Sequence, residues 1–208
     1  MTIEYRPMNI EDADRIGTIL AETWHELAEG DLARLHGVID FATYALRHTY
    51  SQVAVMDGVV QGVVLARAGM PDASDVKAWE ELRDRAYAQA DAIDKAATDE
   101  LRDFLTAEYA ADDELLAESG CNPDFELVVF IVSAATRGHG VGSKLLADAQ
   151  AYLAQAGGEA GYLFTDTTCT WEYYEHRGMT RRAERTYDPT TSILPEQMFV
   201  YEFDTATA

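Results

Sequence analysis

The chain has 208 residues, 48% of them hydrophobic, which suffices for the core of one domain and sets it apart from disordered sequences. Its 37 acidic and 16 basic residues leave a net charge of −21, a field that repels nucleic-acid phosphates and anionic lipid and gathers cations. The two distant cysteines, Cys121 and Cys169, form neither a disulfide framework nor a metal site, so no metal is expected. No apolar run approaches the ~20 residues that span a bilayer, and MTIEYRPMNIEDAD lacks the basic and apolar regions of a signal peptide. The expectation is a cytoplasmic protein with no membrane or nucleic-acid partner.

In chain order, Ile3 to Arg6 predicts a short strand. Asn9 offers an N-cap to a helix whose apolar face runs through Ala13, Ile16, Leu20 and Trp24. A polar connection leads to a second helical stretch, Phe41 to His48. The run SQVAVMDGVVQGVVLARAG then predicts a β-hairpin, with Asp57-Gly58 supplying the positive φ angles of a tight turn.

Residues 71–124 hold sixteen Asp or Glu against five Lys or Arg, about half of the net charge. Val76, Trp79, Leu82, Ala86, Ala90, Ile93, Ala97, Leu101, Phe104 and Leu105 keep a three-or-four spacing, so the segment reads as an acidic, amphipathic helical insertion. Three roles are open to it: covering a pocket, forming a homodimer, or thickening the fold. It ends at the turn cluster Ser119 to Pro123.

After it, VVFIVSAATRGHGVGSKLLADAQAYL passes from a buried strand through a glycine-rich turn into a helix. The strand GYLFTDT, the short helix WEYYEHRG and two closing strands complete the chain. The order β-α-α-β-β, helical insertion, β-α-β-α-β-β predicts a mixed α/β fold rather than a regular dinucleotide-binding alternation.

The glycine-rich turn carries the chemistry. A helix that opens after such a turn presents free N–H groups and the positive end of its dipole, and glycines let an anion approach the backbone. A Walker loop requires Gly-Lys followed by Ser or Thr, but the order here is Gly142-Ser143-Lys144. The dinucleotide fingerprint G-x-G-x-x-G is replaced by G-x-G-x-G, which argues against a nicotinamide oxidoreductase. A glycine-rich connection without a ligand fits the residues as well.

RGHGVGSKLL after FIVSAAT resembles the acyl-CoA loop, R-x-x-G-x-G, of the GNAT superfamily of N-acyltransferases. YYEHRGM is similar to that family's C-terminal signature, with the expected helix and strand between the two. The resemblance is specific over residues 125–179 and topological over 1–66 and 180–203. It implies a single GNAT-like domain over 1–208: a mixed, mostly antiparallel central sheet flanked by helices, interrupted by the helical insertion at 71–124.

It further implies acetyl-CoA as co-substrate, with Arg137, Gly138, Gly140, Val141, Gly142 and Ser143 around the pyrophosphate. Ile131 and Val132 would offer backbone groups to the pantetheine. Tyr174 takes the family's general-acid position, and Glu126 stands where many relatives carry a base or a water-holding group. By alternation Glu126 shares a face with Val128, Phe130 and Val132. Thr167 replaces the asparagine that many relatives use on the pantetheine, and Ala134 replaces their proline before the loop. Trp24 and His25 fall where relatives shape the acceptor pocket. Cys169 reads as packing, Tyr173 as core, and His139 and His176 as exposed.

The implied reaction is direct acetyl transfer to a primary amine, either a small cationic amine such as a polyamine or aminoglycoside, or a lysine side chain. The alternative is a non-catalytic acyl-CoA-binding module that uses the acidic insertion to bind a partner.

Overall fold

A computed structural model describes residues 2–24 and 29–206. Seven strands form one sheet in the order β1-β2-β3-β4-β5-β7-β6: β1 Ile3–Arg6, β2 Tyr50–Met56, β3 Val59–Ala68, β4 Phe125–Val132, β5 Ala160–Asp166, β6 Thr180–Thr186 and β7 Gln197–Asp204. Every neighbouring pair is antiparallel except β4–β5. The mixed, mostly antiparallel sheet expected from the sequence is the one observed. No helix among the described residues is long and apolar enough to cross a membrane.

Helices cover both faces. On one side, Ile16, Ile19 and Leu20 of α1 (Ala13–Trp24) and Phe41 of α2 (Gly30–Ala45) pack on Val53, Val63, Leu65 and Ile131. On the other, Leu145, Leu146, Ala149 and Leu153 of α4 (Val141–Gln155) meet Val64, Leu127, Leu163 and Tyr201. Each such Leu or Ile contributes about 1.5–3 kcal/mol by leaving water. α5 (Glu172–His176) is a single short turn of helix near the sheet's far end.

Two sequence expectations change here. Helix α2 starts at Gly30, well before the predicted Phe41, and ends at Ala45. Gly30 and Gly37 weaken the helical pattern on paper, but Gly37 permits the α1–α2 crossing: a Cβ there would lie 2.0 Å from the Gly17 carbonyl oxygen. The second change is a β-bulge. Ala66 pairs with Leu127 and Leu65 with Val129, which leaves Val128 as an extra residue. Val128 and Val129 both join the core under α1, while Phe130 and Val132 pack on the α4 side. Glu126 therefore lies on the face of Val128 and not, as strict alternation has it, with Phe130 and Val132.

The helical insertion, α3 (Ala73–Ser119), is not one rod. Asp94 has φ −150° and ψ 99°, and its Oδ1 accepts the Ala97 N–H as an N-cap would. The chain folds back there, so that Arg102 reaches Asp91 at 2.8 Å and lies over the Tyr87 ring. The two limbs, 73–93 and 95–119, clasp Leu35, Val38 and Ile39 of α2 through Ala86, Ala90, Leu101 and Leu105. The stripe that is continuous in sequence is bent in space, which leaves Ile93 at the tip exposed.

Candidate active site

β4 and β5 pair at Glu126 and Tyr162 alone among the described residues, and then diverge. Beyond that point the β4 edge toward β5 is unpaired. Ser133 N–H donates to the Gln61 carbonyl of β3, so by alternation Ile131 is spent on β3 too, contrary to the sequence expectation, and Val132 has main-chain groups available to an extended ligand. The apex of this split is tied by ions. Glu126 is 1% exposed; its Oε1 accepts from Arg47 Nη2 at 2.8 Å and its Oε2 from Arg67 Nη2 at 2.9 Å. Arg67 Nη2 also donates to the Tyr162 hydroxyl at 2.9 Å, and Arg47 Nη1 to that of Tyr109 at 3.1 Å. Burial works against the Arg47 charge, but Glu126 and Tyr109 overcome it and hold its pKa above the ordinary value. Glu126 is thus neither a solvated strand end nor a free carboxylate.

At the open end of β4 the chain turns through Ala134–Thr136 into the glycine loop. Gly138 and Gly140 have φ of 77° and 70°, a left-handed backbone that costs other residues roughly 1–2 kcal/mol. Gly140 precedes α4, and its carbonyl accepts the Lys144 N–H at 3.0 Å. The N–H groups of Val141, Gly142 and Ser143 come before the first intrahelical bond and point out of the helix end. Val141 is itself 1% exposed, so only its backbone faces the loop. At Gly142 a Cβ would meet the Phe130 ring at 3.3 Å. Arg137 is exposed. A second cation, not singled out from the sequence, reaches the same place: Arg177 Nη2 donates to Ser143 Oγ at 2.5 Å, with the guanidinium over the Tyr173 ring. Its position just before Gly178 in the C-terminal signature was the available signal.

A cavity of about 1050 Å³ opens beside the split, bounded by β4 residues Leu127 to Phe130 and β5 residues Leu163 to Asp166. Tyr174 and Cys169 lie on its wall. Tyr174 stacks obliquely on Tyr201 with ring centroids 5.9 Å apart, and burial raises the pKa of its phenol, so it stays protonated. Burial, and then Asp166, push the Cys169 thiol up to about 12, which keeps it out of nucleophilic chemistry. Trp24 also borders the cavity, whereas His25 lies outside the described residues. His139 and His176 are exposed. The Thr167 hydroxyl accepts the Gln197 N–H at 3.2 Å and so secures the end of the β5–β7 pairing.

The remaining wall comes from α2 and the second limb of α3. Ala97, Glu100, Leu101, Phe104, Glu108 and Asp112 follow one another at helical spacing and line the cavity. Of the three roles open to the insertion, lining a pocket is one it takes.

The sequence model of the Acetyltransferase (GNAT) family matches residues 70–179. The chain belongs to the GNAT acetyltransferase family. Solved structures share its fold over nearly the whole length. Arylalkylamine N-acetyltransferase 2 from Aedes aegypti superposes with TM-score 0.58 at 14% identity, covering 99% of this chain and 100% of that one. Ribosomal-protein-S18-alanine N-acetyltransferase from Escherichia coli gives 0.55 at 12% identity, covering 100% and 96%. An N-acetyltransferase from Staphylococcus aureus Mu50 gives 0.54 at 15%, covering 99% of each chain. At such identities the likeness is one of fold. No match was found among curated proteins.

Proposed function

We propose that this GNAT chain transfers an acetyl group from acetyl-CoA directly to a primary amine. The observation that carries the reading is the conjunction of three features at one split: the N–H groups of the glycine loop, the unpaired β4 edge, and a protonated tyrosine on the wall of a cavity. The loop from Arg137 to Ser143 receives the pyrophosphate, helped by Arg177, and Val132 pairs with the pantetheine as an added strand would. The thioester is thereby led toward Tyr174.

The amine nitrogen attacks the thioester carbonyl carbon, the C–S bond breaks, and the leaving thiolate takes the Tyr174 proton, which solvent restores. With an amine pKa near 10.4, the neutral form costs roughly 4–5 kcal/mol at neutral pH, so the proton must be taken up during the reaction. Solvent, or Asp166 on the same cavity wall as Tyr174, takes it up. Glu126 serves differently: with both oxygens held by guanidinium groups it fixes Arg47 and Arg67 at the apex, a positioning part rather than that of a direct base. Thr167 contributes by holding the β5 end in place. A non-catalytic acyl-CoA binder has less support, because the insertion lines the same cavity that Tyr174 borders.

The test is mass-detected acetyl transfer, with thiol release followed in parallel, over small amines, polyamines, aminoglycosides and lysine peptides. An acetylated product with stoichiometric CoA supports the reading; CoA binding without any amine-dependent thiol release removes it.

A further inference from the structure

The cavity carries more negative charge than a site for one amine requires. Glu108 and Asp112 lie one helical turn apart on α3, and Asp40 faces them from α2. Asp112 is only 6% exposed, and its Oδ1 has no hydrogen-bond partner among the described residues. Glu108 accepts from the Tyr44 hydroxyl at 3.1 Å. Such burial of an unpaired carboxylate oxygen is costly, and the cost is recovered when a cation enters.

The other charged groups around the cluster act in both directions, Arg47 favouring the Asp112 carboxylate and Glu126 and Asp166 opposing it. Glu100 from α3 and Asp166 from β5 add negative charge. His36 lies near Thr98, and Arg47 is committed to Glu126. Burial first, then Asp40 and Asp112, raise the Glu108 carboxyl well above its usual range, and burial raises Asp112 likewise.

Other walls of the cavity are of a different kind. Leu101, Phe104, Phe164, Leu194 and Met198 offer apolar surface for methylene groups, and the rings of Trp24 and Tyr44 suit an ammonium.

Resting on the acetyl-transfer reading above, we propose that the acceptor is a flexible diamine or polyamine, one ammonium held by Glu108, Asp112 and Asp40 while the other end meets the thioester beside Tyr174. The cation site is built by the α3 insertion together with α2.

Calorimetric titration of the full chain with diaminobutane and with butylamine, at about pH 8, tests this directly. Diaminobutane should bind at least about tenfold more tightly. In Glu108→Gln/Asp112→Asn that preference should shrink to within about threefold; Asp112→Asn alone serves if circular dichroism finds the double variant unfolded. Equal binding of the two amines by the wild type, or a preference that survives the substitutions, overturns the site. Acetyl transfer measured on the same samples keeps the two readings apart. Transfer to both amines without preference removes the cation site alone. A retained binding preference without transfer to either amine supports the cation site and removes the enzyme reading.

Discussion

Glu126 and Tyr162 are the register pair at which β4 and β5 touch before they part, and Arg67 hydrogen-bonds both side chains. The split that receives a ligand is therefore built on a buried ionic knot. Removing the anion leaves two guanidinium groups facing each other without a counter-charge. Glu126→Ala should cost about 3–5 kcal/mol in urea denaturation. Glu126→Gln should cost less and leave the pH profile of kcat unchanged in shape, as a positioning residue requires. Loss of the acid limb of that profile in a folded Gln variant would make Glu126 the base instead.

The glycine loop gives a prediction with two arms. Gly140→Ala forces a Cβ into a left-handed backbone at φ 70° and disturbs the approach to the α4 N-terminus. Arg177→Ala removes the cation beside Ser143 without touching the backbone. Both should raise the KM for acetyl-CoA, on the order of tenfold for the glycine and about threefold to tenfold for the arginine, with amine KM little changed. Unchanged acetyl-CoA KM in both would move the cofactor elsewhere.

The buried carboxyls of the cavity make an unusual pH dependence. Glu108 and Asp112 have folded-state pKa values raised above an unfolded value near 4, so the folded chain binds more protons in between. Their contribution is fully present below the unfolded value and is lost as pH rises through the folded one. The ligand-free protein should accordingly gain melting temperature as pH falls through the folded values toward the unfolded one. Asp12 acts in the opposite sense, lowered by its hydrogen bond to Arg6, but only at more acid pH. Glu108→Gln should flatten the slope and add about 1 kcal/mol at the alkaline end. A slope identical to wild type would mean that Glu108 stays ionised in the cavity.

Most of the fold was legible because its signals are local. The Asp57-Gly58 turn, the glycine loop and the Gly178 helix end each announce themselves by a residue that alone tolerates the backbone required. The misses arose from contacts between distant segments. Gly30 and Gly37 look like helix breakers until Gly17 is seen against Gly37. The bulge at Val128 is set by pairing with β3 and leaves no mark in an apolar run. The turn at Asp94 hides because Asp is ordinary in an acidic helix, although its N-capping chemistry was there to read. For the same reason the inward turn of Glu108 and Asp112 leaves no mark in the sequence: which side of a helix looks inward depends on what packs against the other.

The central claim is that Tyr174 gives its proton to the leaving thiolate. Steady-state kinetics of wild type and Tyr174→Phe, with acetyl-CoA and the best amine found, test it most directly. The phenyl ring keeps the packing on Tyr201, so only the hydroxyl is lost. The account predicts that kcat falls by about tenfold to a thousandfold while the KM for acetyl-CoA stays within about threefold. A Phe variant that turns over at the wild-type rate would contradict it.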